Sequence, residues 1–191
     1  MNIVVVSGSP RPQRTSHQVA LEIISRLSKV ENLSVTLLDV KEANFPNLDY
    51  TYKKNPSANE TMKYFSETVA ASDGIIIVSP EYNGSFSGAL KNTIDYFYGE
   101  FSKKVIGVVS VSTGRMGGIR AVMDLQKLIL ALGAFPLPKY LTTPEVQNLF
   151  SNSVLVDDRY AKHMDNFLEE FLWLTEAVKN QKEKNYLKIA I

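Results

Sequence analysis

The period of the apolar positions changes back and forth along the chain. Asn2–Ser7 carries the unbroken run Ile3-Val4-Val5-Val6, the pattern of a central strand covered on both faces. Thr15–Lys29 places Val19, Ala20, Ile23, Ile24 and Leu27 at the spacing of one helical face. In Leu33–Val40, Leu33, Val35 and Leu37 alternate with Ser34 and Thr36, which predicts a strand. Asn59–Ala71 predicts a helix capped by Asn59 or Ser57. Gly74–Ser79 is a second buried-strand run, and Ser87–Phe97 a helix with Leu90, Ile94 and Phe97 inward. Lys104–Ser112 holds Val105-Ile106-Gly107-Val108-Val109, again a buried strand. Gly118–Leu132 is helical, with Ile119, Val122, Met123, Leu125 and Ile129 in phase. Tyr140–Thr143, bracketed by Pro136, Pro138 and Pro144, predicts a short edge strand. Asp157–Lys182 predicts a long helix striped by Met164, Phe167, Leu168, Phe171, Leu174 and Val178.

Strand-then-helix units in this succession predict an α/β fold. The expected form is a flavodoxin-like doubly wound five-stranded parallel sheet, order 2-1-3-4-5, flanked by helices, as a single domain over residues 1–191. That order sets the loops after the first and third strands side by side, where a ligand crevice opens. Lys41–Ser57 is irregular, with Pro46, Pro56, Tyr50 and Tyr52. Such a stretch is a lid or binding loop, or a plain surface excursion, and both readings stay open.

Composition narrows the chemistry. A formal net charge of +1 gives no electrostatic reason to bind nucleic acid or an anionic membrane. The mixed signs of Lys179–Lys184 predict a solvated helix end. The chain has no cysteine, which excludes disulfides, a thiolate nucleophile, cysteine-ligated zinc and iron–sulfur clusters. Its two histidines are far apart and match no metal-ligand spacing. The opening segment lacks a basic n-region, and no run reaches membrane-span length, so a cytoplasmic location is expected.

Between the first strand and the first helix lie Ser9, Arg11, Arg14, Thr15, Ser16 and His17. A helix N-terminus offers free N–H groups and a positive dipole end; short hydroxyls and an arginine fork add donors. This suits a phosphate monoester. Neither the Walker loop nor G-x-G-x-x-G is present, which points away from ATP and from a Rossmann-type NAD site. Thr15 or Ser16 alone would be an ordinary N-cap. His17 reads as a neutral donor or surface residue, not a base. Pro80-Glu81-Tyr82-Asn83-Gly84-Ser85 forms a loop with exposed amides, and Ser112-Thr113-Gly114-Arg115-Met116-Gly117-Gly118 lets the backbone approach a planar ligand. Glu81 reads as a carboxylate bonding nearby backbone or a neighbouring chain, rather than a catalytic acid.

Pro80-Glu81-Tyr82-Asn83, followed by Gly88, Leu90-Lys91-Asn92 and Ile94-Asp95, resembles the PEYN…G-x-L-K-N-x-I-D signature of the NAD(P)H-dependent FMN reductase family. Gly8-Ser9-Pro10-Arg11 resembles the start of that family's G-S-x-R-x-x-S phosphate loop, with two residues inserted before Ser16. The resemblance covers about the first 145 residues. It implies that the first loop holds the FMN phosphate and that Pro80, Glu81, Tyr82 and Asn83 line the flavin. Ser112, Thr113, Gly114 and Gly117 would then run under its pyrimidine end. It further implies NADPH or NADH as donor, hydride transfer at FMN N5 with no catalytic side chain, and a small-molecule electron acceptor. Quinone, azo dye, free flavin and metal oxyanion all remain candidates. Ping-pong kinetics and a homodimer or homotetramer follow. Arg115 would meet a nicotinamide-nucleotide phosphate or have no such role. Lys91 and Asp95 would be a weak surface pair or a subunit contact, and Trp173 core or interface. Two other readings stay open: a flavodoxin-like electron carrier, against which the near-zero charge speaks, and a flavin-dependent redox-sensing interaction protein.

Overall fold

The computed structural model describes residues 1–184, so the end of the expected 1–191 domain, residues 185–191, lies outside the described residues. β1 (Asn2–Ser7), β2 (Ser34–Asp39), β3 (Gly74–Pro80) and β4 (Val105–Val111) are parallel, in the order β2-β1-β3-β4. The next position beyond β4 is shared by two short strands, β5 (Phe135–Pro136) and β6 (Leu141–Thr143). The edge strand expected at Tyr140–Thr143 is therefore only half of that position. Pro136 and Pro138 have no N–H to donate, so the ladder breaks between the two pieces.

Alternation along the strands feeds two cores. Val4, Val6, Ile75, Ile77, Ile106 and Val108 point to one face. There they meet α3 (Glu60–Ala71), α4 (Gly88–Asp95) and α5 (Ile119–Ala131). Ile3, Val5, Ile76, Val78, Val105 and Val109 point to the other. That face is covered by α1 (Thr15–Leu27) and α6 (Asp158–Glu183). A short α2 (Val40–Ala43) follows β2, and β7 (Phe150–Ser151) with β8 (Val154–Leu155) makes a small hairpin. Asn59 caps α3, accepting from Met62 N at 2.9 Å.

One expectation for an inward residue needs correction. Met123 is 48% exposed, because Ala121 fills the inward position of that turn of α5. In β2, Leu38 is buried and Leu37 only half-buried. The strand lies at the sheet edge with helices over both faces, so one-sided alternation does not describe it. Trp173 is 70% exposed, which removes the core reading for it. The 41–57 stretch is anchored to α4. Asn92 accepts from Leu48 N at 3.0 Å and donates to Pro46 O at 2.8 Å. Tyr52 N bonds Tyr96 O at 2.8 Å, and Phe45 packs edge-on against Phe65, Tyr96 and Phe97.

α6 closes on β4 at Gly107, where an added Cβ would lie 2.8 Å from the Phe167 ring and 3.2 Å from the Phe171 ring. Gly107→Ala is expected to lower stability by about 1–3 kcal/mol through overpacking. A urea titration followed by far-UV circular dichroism measures it. An unchanged midpoint would mean that α6 can shift outward freely.

Candidate functional site

The first loop leaves β1 already tied to its neighbours. Gly8 N donates to Val78 O at 2.8 Å. Gly8 O accepts from the Ser87 hydroxyl, whose oxygen also caps α4 by accepting from Leu90 N at 3.1 Å. Ser9 is buried, and its Oγ lies 2.9 Å from the Tyr82 hydroxyl. The Arg11 guanidinium sits over the Tyr82 ring, 4.1 Å from its centroid, a cation–π contact joining the first loop to the one after β3. Arg14 turns the other way. Its Nη1 donates to Ser9 O at 2.7 Å and to Asp39 Oδ1 at 2.6 Å, and its Nη2 pairs with Asp39 Oδ2. Arg14 is also the N-cap of α1 and supplies no side-chain acceptor there; its carbonyl takes His17 N at 3.2 Å, which leaves the Thr15 and Ser16 N–H groups of the first turn for another partner.

His17 stands behind the loop, with Nδ1 3.0 Å from Ser7 Oγ and 3.6 Å from Asp39 Oδ2. Burial, then the Arg14 charge, pushes its imidazole below the ordinary value, and Asp39 opposes them only in part. It is a neutral structural donor or acceptor.

The loop after β3 is a tight turn. Asn83 (φ 51°) and Gly84 (φ 80°) are both left-handed, the conformation that Asn-Gly adopts most readily. Tyr82 and Ser85 bond each other across it, at 2.7 and 3.1 Å. Glu81 reaches to the start of α5, where its Oε2 accepts from Arg120 N at 3.1 Å and Ala121 N at 3.5 Å. This bears out the backbone-bonding reading of Glu81.

The third loop follows β4. Ser112 N donates to Thr143 O at 3.1 Å, and Ser112 Oγ accepts from Gly114 N at 3.1 Å. Gly117 is packed against β6, where a Cβ would meet Thr142 at 2.8 Å. Its carbonyl accepts from Ser110 Oγ at 2.7 Å and Thr143 N at 3.3 Å.

These loops enclose a cleft of about 510 Å³ at the carboxyl ends of β1, β3 and β4. Of the residues singled out in the sequence, Ser9, Arg11, Arg14, Thr15, Ser16, Pro80, Glu81, Tyr82, Asn83, Ser112 and Thr113 line it. His17, Gly114 and Gly117 are not among its lining residues: His17 is behind the first loop, and Gly117 serves the packing of the third loop on β6. Pro12, Gln13, Val111 and Val146 also line the cleft and were not anticipated. Pro12 and Gln13 carry no motif chemistry of their own, and Val146 arrives from beyond β6. Arg115 is exposed at the tip of its loop.

Residues 1–148 match the sequence profile of the NADPH-dependent FMN reductase family. The chain belongs to that family. An NADPH azoreductase of Bacillus sp. (strain OY1-2) is 30% identical over 141 residues, 73% of this chain and 74% of that protein. A quinone reductase of Pseudomonas putida (strain KT2440) is 30% identical over 178 residues, 89% of this chain and 92% of that protein. Among solved structures, the flavoenzyme NAD(P)H:(acceptor) oxidoreductase of Paracoccus denitrificans superposes with a TM-score of 0.77 at 23% identity, covering 92% of this chain and 97% of that one. The fold is thus flavodoxin-like, and the chain is an oxidoreductase of an FMN- and NAD(P)H-dependent family. Among the described residues no helix is long and apolar enough to cross a membrane.

Glu81→Ala is expected to lower stability by about 1 kcal/mol by uncapping α5, readable as a reduced thermal midpoint. An unchanged midpoint would show that the carboxylate contributes nothing there. The lowered His17 value sets a pH dependence. As pH falls, the unfolded chain takes up the His17 proton first, so stability is lost on acidification from about pH 6.5 downward. His17→Gln is expected to flatten the thermal midpoint between about pH 7 and 5 relative to the parent protein. Parallel profiles would show that another group sets the slope.

Proposed function

We propose that this chain binds FMN in the cleft and uses it to pass two electrons from NAD(P)H to a small acceptor, of which quinones and azo compounds are the first to test. The observation that carries the reading is the donor set. The first turn of α1, Ser9, Arg11, Thr15 and Ser16 converge at one end of the cleft. Pro80–Asn83 and Ser112–Thr113 form its other walls. Glu81, a carboxylate in that lining, is already committed to the N–H groups of α5 and does not face the cleft as a free charge. A phosphate monoester therefore finds N–H, O–H and guanidinium donors at the α1 end. The tight Tyr82–Ser85 turn and the Ser112–Gly118 loop offer backbone amides to a planar ring.

Bound FMN would supply the redox chemistry, accepting a hydride equivalent from NAD(P)H and releasing two electrons to the acceptor. The protein's own part is to hold, orient and leave one face open. In this reading the flavin carries the chemistry, and no side chain of the lining is cast as a nucleophile or shuttling base. The donor and the acceptor then use the same open face in turn, which gives ping-pong kinetics. Assembly as a homodimer or homotetramer is part of this reading. The exposed Met123 and Leu130 of α5 and the Lys91–Asp95 pair of α4 are the surfaces we assign to it. Action in the cytoplasm, where NAD(P)H is held, completes it.

The deciding measurement is an anaerobic absorbance spectrum of the FMN-reconstituted protein before and after NADPH, then NADH. Bleaching of a bound flavin within seconds is expected. A bound flavin that stays oxidised would overturn the reductase reading in favour of an electron carrier or sensor, and no bound flavin would overturn the cleft assignment. Arg11→Ala is expected to raise the FMN Kd by roughly tenfold or more, as for loss of a charged hydrogen-bond donor. Fluorescence quenching on titration reports it, and an unchanged Kd would remove Arg11 from the site.

A further inference from the structure

Arg14 lines the cleft, yet its guanidinium is engaged on the far side, and Asp39 is what engages it. The two side chains are 9% and 10% exposed. The fork meets both carboxylate oxygens, and its Nη1 also reaches Ser9 O at 2.7 Å. Asp39 is the last residue of β2, fixed in place by pairing with Ser7 in β1. It is fixed again as the cap of α2, where its Oδ1 accepts from Lys41 N at 2.9 Å. Besides the contacts of Ser9 and Arg11 with Tyr82, the segment it braces has few bonds of its own. Between Ser9 and Arg14 lie Pro10 and Pro12, which have no N–H, and Gln13 at φ 51°. Arg11 N donates to Ser9 Oγ at 3.4 Å, a long contact.

We infer that Arg14 and Asp39 are positioning residues, a buried bidentate strut that holds the Ser9–Arg11 segment in its anion-binding shape, and that Arg14 is not itself a phosphate ligand. A guanidinium already matched to a carboxylate in both oxygens has its charge neutralised and its fork filled. Recruiting it to an anion would strand Asp39 in a buried place beside the half-buried His17, and a buried carboxylate without a partner is strongly unfavourable. The strut also fits the length of this loop: with two residues more than the G-S-x-R-x-x-S pattern, the segment needs a brace from outside itself. This inference rests on the cleft being the FMN site.

The two roles for Arg14 give opposite results when Asp39 is changed. Asp39→Asn keeps the shape and removes the charge. A direct ligand would be released by it, and FMN would bind as well as before or better. A strut would be lost, and the FMN Kd is expected to rise about tenfold, while the Kd for riboflavin, which lacks the phosphate, changes less than twofold. Arg14→Lys separates them again. Lysine keeps the cation but cannot span Ser9 O and both carboxylate oxygens, so a strut predicts a loss close to that of Asp39→Asn and a ligand predicts near-parental binding. In the double variant Arg14→Lys/Asp39→Asn, the strut's losses do not add. Circular dichroism on each variant checks folding, and Arg14→Lys keeps the question answerable if Asp39→Asn does not fold. An Asp39→Asn variant that binds FMN at parental strength, or one that loses riboflavin and FMN equally, overturns the inference. Parent protein that binds neither flavin overturns the cleft assignment instead, so the two failures are distinct.

Discussion

Three backbone hydrogen bonds step across the top of the sheet and set where everything else can be. Gly8 N bonds Val78 O, Glu81 N bonds Val111 O, and Ser112 N bonds Thr143 O. Each is the first bond of a loop, made to the next strand along, so each loop begins with its origin fixed by its neighbour's register. Strands β1, β3 and β4 are buried on both faces, where an unpaired amide costs too much to be left. A one-residue slip of any of them would exchange the residues of the two cores and displace the loop together with the strand. The cleft is a consequence of that shared register.

The helices then complete the loops by their ends. Ser87 caps α4 and, through the same hydroxyl, holds Gly8 O. Glu81 caps α5 from the loop after β3. Asp39 caps α2 and holds Arg14. In each case a side chain that stabilises a helix terminus also fastens a cleft loop, so helix stability and site geometry are coupled through one group. The loops need few internal hydrogen bonds for that reason.

The sequence revealed the strands and the turn after β3 well because both depend on local signals. An apolar β-branched run identifies a doubly buried strand whatever surrounds it, and Asn83-Gly84 specifies its turn through backbone preference alone. The failures are non-local. Met123 has the right spacing to face inward, but Ala121 takes that place in the packed helix. Gly117 has the composition of a ligand-facing glycine; that it is spent on approach to Thr142 depends on β6, 25 residues away along the chain (142 − 117). Arg14 stood among the phosphate-loop candidates in sequence, since nothing in the first loop names Asp39 as its partner.

The division between Arg11 and Arg14 shows how a chain of formal net charge +1 would make the proposed anion site. Three of the carboxylates near the cleft loops are occupied by protein donors. Asp39 takes Arg14, Glu81 takes the first N–H groups of α5, and Asp124 takes the Ser85 hydroxyl at 2.6 Å. Among the described residues Arg11 has no such carboxylate; its exposed guanidinium lies on the face of Tyr82. An aromatic face attracts a cation without neutralising it, so Arg11 keeps its charge for a ligand at the N-terminus of α1, where the helix dipole has the same sign. Local pairing, and not overall charge, therefore makes this end of the cleft positive. The same contact couples the two ends of the site, because a ligand that draws Arg11 away also changes what rests on the Tyr82 ring.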